Sequence, residues 1–217
     1  MGTISIAKLA GISLILGPVI TVVCYFIQQL VIFADVEWGS AASWAAAAAD
    51  GRSATVATSI IVSLPLMMLV YGLLFIANEI RGNGNGNALA SYSVPLILIG
   101  LTGFVLSSGI FVAAATFPKP AATAAAVVLA GSGMNGMAGI FFSLGFSAIF
   151  FAMASRNEYN SVLANIAALV ALLAFVLSII GVAGTELSEL MTQIVGVTYI
   201  IHTIYAIYIG RGLLTRE

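Results

Sequence analysis

The chain has 217 residues, of which 61% are hydrophobic and only 7% are charged. Soluble domains carry about 25% charged residues, and disordered chains need low hydrophobicity and high charge, so both classes are excluded. A net charge of −1 offers no basic surface to nucleic acid. A single cysteine, Cys24, and a single histidine, His202, leave no ligand set for zinc, haem or an iron–sulfur cluster. We therefore expect an integral membrane protein without metal or other cofactor, whose partner is the lipid bilayer.

Six long apolar stretches follow one another along the chain, and each reaches the roughly 20 residues that cross the hydrocarbon core. Polar or turn-forming segments separate them, among them the Gly-Asn repeat 82–87 and Pro118-Lys119-Pro120. The predicted spans are about 9–33, 54–77, 93–117, 125–154, 162–184 and 191–210. This pattern predicts an all-α, six-helix transmembrane bundle in which residues 1–217 form a single domain.

The distribution of lysine and arginine predicts the orientation of the bundle. Six spans would place both termini on one side, together with five basic residues: Lys8, Arg81, Arg156, Arg211 and Arg216. The opposite side would hold Arg52 and Lys119. Because basic residues accumulate on the cytoplasmic side of membrane proteins, we expect cytoplasmic N- and C-termini. The composition is typical of bacterial multi-helix membrane proteins and favours a prokaryotic cell (inner) membrane.

The first outer segment, residues 34–53, is longer than the others and has its own pattern. It contains the alanine run Ala45–Ala49, which favours helix, and two tryptophans, Trp38 and Trp44, a residue type enriched at membrane interfaces. We expect a short helix that lies at the membrane surface and is anchored by the tryptophans. An ordinary ordered loop is the alternative.

Polar side chains within the spans indicate where a ligand could bind, because such residues are costly in a bilayer. No Asp, Glu, Lys or Arg lies near the middle of a predicted span, which argues against a proton pump or a voltage sensor. The tentative ligand-binding residues are His202, Thr198, Tyr205, Asn135, Gln28 and Gln29. The first three share one face of the sixth span. The alternative is a histidine that hydrogen-bonds to a neighbouring helix.

Small residues recur at every fourth position of the fourth span, at Gly131, Asn135, Gly139, Ser143 and Ser147. Gly103 and Ser107 form a shorter row of this kind on the third span. Such rows let another helix approach closely, and the partner helix could belong to the same chain, to a second protomer or to another membrane subunit. The segment Gly131–Gly136 is too weak a match for a phosphate loop, and we expect the helix to unwind locally there.

These observations leave two functional hypotheses. The first is binding or transport of a small neutral or cationic solute through an outward-facing polar pocket. The second is a non-catalytic accessory or structural subunit of a larger membrane complex, docked through the fourth span. Catalysis is not favoured, because only His202 could act as a base and no carboxylate within the spans is placed to orient it.

Overall fold

A computed structural model describes residues 4–82, 84–117, 120–184 and 187–216. These residues form seven α-helices and, within the described ranges, no strand. The helices are α1 (Ile6–Ile27), α2 (Ala41–Asp50), α3 (Arg52–Ile80), α4 (Asn87–Thr116), α5 (Ala121–Ala154), α6 (Ser161–Val182) and α7 (Ser188–Leu214). A π-helical turn, Gln28–Ile32, continues α1, and the backbone N–H of Phe33 donates to the Gln28 carbonyl across it, at 2.9 Å.

All helices except the short α2 are long and apolar enough to cross a membrane, so the predicted six-helix, multi-pass membrane bundle is confirmed. Six crossings put both termini on one side of the bundle, which we name the inner side. That this side is cytoplasmic, and that the membrane is prokaryotic, remain predictions. The predicted helix of the first outer segment is present as α2, and its position at the membrane surface likewise remains a prediction.

The spanning helices form a closed ring in the order α1, α3, α4, α5, α6 and α7, with α7 returning to α1. Glycines permit the closest approaches. A Cβ added to Gly210 of α7 would lie 2.7 Å from the carbonyl oxygen of Gly11 on α1. A Cβ added to Gly17 would lie 2.6 Å from the carbonyl oxygen of Pro65 on α3. Backbone therefore meets backbone along two seams of the ring, as small interface residues allow.

The main apolar core occupies the inner half of the ring. Each spanning helix contributes the half that lies on the inner side of the bundle. The contributing residues are Ala10 and Leu14 of α1, 66–80 of α3, 90–97 of α4, 142–153 of α5, 164–171 of α6 and 205–213 of α7. Phe142, Phe146 and Phe150 of α5 form a contiguous run of rings at its centre, with centroids 4.5 and 5.5 Å apart. Large aromatic side chains therefore fill this half.

The outer half contains two smaller apolar clusters, and both involve α2. The rings of Phe33 and Trp44 pack at a tilt of 40° with centroids 4.7 Å apart, and Trp38 and Trp44 pack edge to face at 5.5 Å. Ala45 of α2 packs with Val128 of α5. The short helix thus packs against the outer ends of α3, α4 and α5, and Trp44 contacts both clusters.

Helix α5 is continuous from Ala121 to Ala154, so the expected unwinding at Gly131–Gly136 is wrong. Glycine costs about 1 kcal/mol in a helix, but inside a bilayer no water replaces a broken backbone hydrogen bond. Neighbouring side chains also fill the space at two of the three glycines, because Ile110 lies against Gly131 and Val182 against Gly136.

The outer end of α5 projects beyond its neighbour α6. The two helices are joined on the inner side by the short segment 155–160, so their inner ends are level. Val182, the last residue of α6, lies against Gly136, and at 1.5 Å per residue the part of α5 from Ala121 to this point extends about 22 Å further outward. On the outer side, the ring is consequently shorter at α6 and α7 than at α5.

Candidate functional site

Asn135 of α5 faces the inside of the ring. Helix α4 lies against α5 at Gly131 and Ala138, whereas α6 lies against it at Gly136 and Gly139. Each residue advances about 100° around a helix, which places Asn135 in the angular gap between these two seams. The remaining, wider face of α5 contacts neither α4 nor α6 and faces lipid.

Asn135 is nonetheless exposed. Phe142 and Phe146 follow it on the same stripe of α5, and each is only 3% exposed. On its outer side the same stripe carries Val128, which is 1% exposed and packs with Ala45 of α2, so Asn135 faces a space between two packed parts of α5. We name this space the outer recess.

Gln28 lies in the outer half of α1 and is held by α3. Its amide nitrogen donates to the hydroxyl oxygen of Thr58 at 3.0 Å, and that hydroxyl donates to the Ala54 carbonyl at 2.8 Å. Gln29 is half-buried in the same π-helical turn. One of the two predicted glutamines thus joins helices, as hydrogen-bonding side chains do in membranes.

His202 lies in the inner core, below the outer recess. Its Nε2 is 3.3 Å from the carbonyl oxygen of Ala167 on α6, so the N–H of this nitrogen donates there and Nδ1 is left as an acceptor. Nδ1 is buried and has no partner in the described part of the chain. The imidazole packs against Phe146 and Phe150, with centroids 5.6 and 5.8 Å away.

The other two polar residues predicted on this helix are also buried. The hydroxyl of Thr198 donates to the Val195 carbonyl of its own helix at 2.6 Å. The ring of Tyr205 packs edge-on against Phe150 at 5.2 Å, and its hydroxyl has no partner among the residues described. Thr198 and His202 are 4% and 5% exposed, so neither opens to the recess as Asn135 does.

The six predicted ligand-binding residues lie in different parts of the bundle. No hydrogen bond joins any two of them within the described ranges. Asn135 and the two glutamines occupy the outer half on different helices, whereas His202 and Tyr205 belong to the inner core. A binding role for any of them remains a proposal.

The row of small residues on α5 winds from one neighbouring helix to the next. A step of four residues turns about 40° around a helix, so Gly131 faces Ile110 of α4 while Gly139 faces Ser178 of α6. Further along the row, Ser143 and Ser147 are each 3% exposed. The partners that the structure shows for this row are thus helices of the same chain.

The shorter row on α4 lies along the same α4–α5 seam. A Cβ added to Gly103 would lie 2.7 Å from the Cβ of Ala138, and the hydroxyl of Ser107 donates to the Gly131 carbonyl at 3.0 Å. The two predicted rows therefore meet each other in part. Gly131, Gly139, Ser143 and Ser147 are therefore buried within the chain, and docking of a second subunit through α5 remains a prediction.

A polar contact on the inner side has no counterpart in the sequence analysis. Nη1 of Arg216 lies 2.9 Å from both carboxylate oxygens of Glu79, and the hydroxyl of Tyr159 donates to Glu79 at 3.4 Å. Burial, and then the charge of Glu79, raise the pKa of Tyr159 to about 12. These three residues, which we name the inner seal, join α3, the α5–α6 connection and the end of the chain. Their wide separation in sequence gives no local signal.

Two further features bear on what the site can hold. Within the described residues there is no group of three or more His, Cys, Asp or Glu that could hold a metal ion. No protein-family model, curated protein or solved structure matches this chain.

Proposed function

We propose that this multi-pass membrane protein binds a small neutral or cationic solute in the outer recess and transports it across the membrane. The observation that supports the proposal is the position of Asn135, an exposed amide in the angular gap of α5 between its contacts with α4 and α6. An amide offers two donors and two acceptors, and Asn135 has no hydrogen-bond partner in the described part of the chain. It is therefore available to a polar solute.

The charge around the entrance supports a neutral or cationic solute. The outer segments carry four exposed carboxylates, at Asp35, Glu37, Asp50 and Glu189. Arg52 is the outer cation that the structure describes, and the other predicted one, Lys119, lies outside the described residues. An excess of negative charge raises the local concentration of cations and lowers that of anions.

The packed inner half supports transport rather than an open channel. Beneath the outer recess lie the phenyl rings of α5, and the inner seal joins three parts of the chain at the far end. Both partners of the Glu79–Arg216 ion pair are more than a third exposed, and such pairs contribute about 0–1 kcal/mol. Because this pair is weak, breaking it to open the inner side costs little free energy. A solute that binds this inward-open conformation more tightly than the closed one shifts the equilibrium between the two toward it.

Cysteine labelling tests the outer recess. In a Cys24→Ser background, Asn135→Cys should react with a membrane-impermeant maleimide added outside intact cells, because a thiol in water ionises readily. Met137→Cys is the matched control, since Met137 is 46% exposed but lies on the opposite, lipid-facing side of α5. We expect it to react at least about tenfold more slowly, as thiolate formation is suppressed in apolar surroundings. Equal labelling at both positions would refute the recess.

Flux into proteoliposomes tests transport. Urea and glycerol serve as neutral probes and methylammonium as a cationic probe. We expect flux of at least one probe, reduced about tenfold by Asn135→Ala, as expected for one lost hydrogen bond. Met137→Ala should leave this flux unchanged. No flux of any probe, or equal flux in both variants, would contradict the proposal, and His202→Ala tests whether the path continues through the inner core.

An accessory role is the second candidate, and one feature favours it. A groove of about 580 Å³ lies between α2, α4 and α5 on the outer projection and is lined mainly by alanines, including Ala45, Ala49, Ala114 and Ala121. Small side chains allow a partner helix to approach closely. Native mass measurement after gentle extraction should then find a second polypeptide bound, and a lone monomer would contradict this role.

A further inference from the structure

A second groove lies at the inner end of the α6–α7 seam. It has a volume of about 770 Å³, and its lining includes Asn160, Ile204, Tyr208, Arg211, Thr215 and Arg216. Ile204 is 63% exposed and Tyr208 is 51% exposed, so the groove opens on the outer surface of the ring, where lipid lies. It is separate from the outer recess and lies on the other side of the membrane.

The lining changes from apolar to cationic along α7. Ile204 and Ile207 come first, Tyr208 follows, and Arg211 and Arg216 lie nearest the inner end. From Ile204 to Arg211 the helix rises about 10 Å. A phospholipid changes from apolar acyl chain to charged headgroup over a similar depth, because the headgroup layer adds several ångströms on each side of the hydrocarbon core.

Arg211 is a cation with no protein partner in the part of the chain that the structure describes. It is exposed, and the described residues supply it with no ion pair or hydrogen bond. The acidic residue in the lining, Glu158, pairs instead with Arg156, at 3.4 Å. Guanidinium groups bind phosphate with two parallel hydrogen bonds. An anionic headgroup therefore complements the charge that the groove leaves unpaired.

We propose that this groove binds an anionic phospholipid of the inner-side leaflet. The headgroup phosphate contacts Arg211, with the Tyr208 hydroxyl as a further donor, and an acyl chain follows Ile204 and Ile207 into the membrane. Arg216 also lines the groove while it pairs with Glu79. The lipid is thus adjacent to the inner seal.

Lipid titration of the purified full-length chain, followed by native mass spectrometry, tests the proposal. Phosphatidylglycerol and phosphatidylcholine with identical acyl chains are compared. We expect phosphatidylglycerol to bind more tightly, and Arg211→Gln to weaken its binding about fivefold, the usual effect of one basic residue near an anionic surface. Arg211→Lys should retain most of the preference, because it keeps the charge.

Arg81→Gln is the matched control. Arg81 is an exposed arginine on the same side, outside the groove, and among the described residues it bonds to Ser91 and Asn78. This variant should bind phosphatidylglycerol like the wild type. Equal loss in both glutamine variants, or no headgroup preference in the wild type, would overturn the proposal. Displacement of the lipid by excess glycerol 3-phosphate would also overturn it, because the groove would then bind a soluble phosphate.

Discussion

The same six helices pack differently in the two halves of the bundle. In the inner half every spanning helix contributes to one apolar core, and the inner seal joins α3 to the α5–α6 connection and to Arg216. In the outer half the apolar clusters are small and involve α2, and Asn135 is exposed although it faces inward. Two regions built from similarly apolar helices can therefore differ in how their side chains pack.

The size of the side chains on α5 accounts for much of this difference. Its inner half carries Phe142, Phe146 and Phe150, whereas residues 121–139 are mostly alanine, glycine and other small residues. In lipid the apolar environment does not drive helices together, so association depends on van der Waals packing and hydrogen bonds. In the inner half the large rings of α5 fill the space between the helices. In the outer half the small side chains of α5 leave space wherever a neighbouring helix does not pack directly against them.

The largest expected effect is that of removing a ring from the inner core. Phe146→Ala should lower the free energy of unfolding by about 3 kcal/mol, because it leaves a cavity that its neighbours cannot fill. Phe141→Ala is the control on the lipid-facing side of the same helix and should cost less than half as much. Unfolding in mixed micelles measures both values. Similar losses would mean that the inner half is not specifically packed.

A smaller effect is expected at the glycine seam between α1 and α7. Gly210→Ala would place a Cβ 2.7 Å from the Gly11 carbonyl oxygen, and overpacking of this kind costs about 1–3 kcal/mol. Gly212→Ala, two residues along, meets nothing within 4 Å and should be neutral or stabilising. Gly133→Ala on the outer part of α5 should be equally tolerated. The same unfolding assay tests all three variants, and a stable Gly210→Ala would argue against a rigid inner half.

The smallest effect concerns pH and the inner seal. The pKa of Tyr159 is about 12 in the folded protein, against about 10 when unfolded. The folded state therefore holds this proton more tightly, and its contribution is complete below pH 10 and is lost as pH rises toward 12. Thermal midpoints of Tyr159→Phe should decline a few degrees less than those of the wild type over this interval. Parallel declines would exclude Tyr159 as a contributor.

Hydropathy predicted the six spans well and their ends less well. Helix α4 starts at Asn87 and α5 at Ala121, earlier than the predicted 93 and 125. A membrane helix continues beyond its apolar run until the backbone geometry changes, as at Gly86 with φ of +83°. Hydrophobicity reports the part in lipid, whereas turn residues decide where the helix ends.

The candidate site was harder to predict, because residue spacing defines a face of one helix but not what that face contacts. Spacing placed Thr198, His202 and Tyr205 on one face correctly, yet that face packs into the core. It also grouped Asn135 with a packing row, although the row turns from α4 at Gly131 toward α6 at Gly139 and Asn135 lies between them. The packing of α2 against α5 and the pairing of Glu79 with Arg216 depend on tertiary contacts that no local pattern encodes.

The π-helical turn at Gln28–Ile32 bears on how the length of this chain could change in evolution. A π-turn holds one residue more than an α-turn, so it is the form that a single-residue insertion takes inside a helix. Elsewhere in a span, an insertion would rotate every later side chain by about 100°. Here the π-helical turn ends directly before Phe33, whose ring packs against Trp44. Loss of one residue from this turn should therefore restore an ordinary helix and leave the rest of the bundle in register.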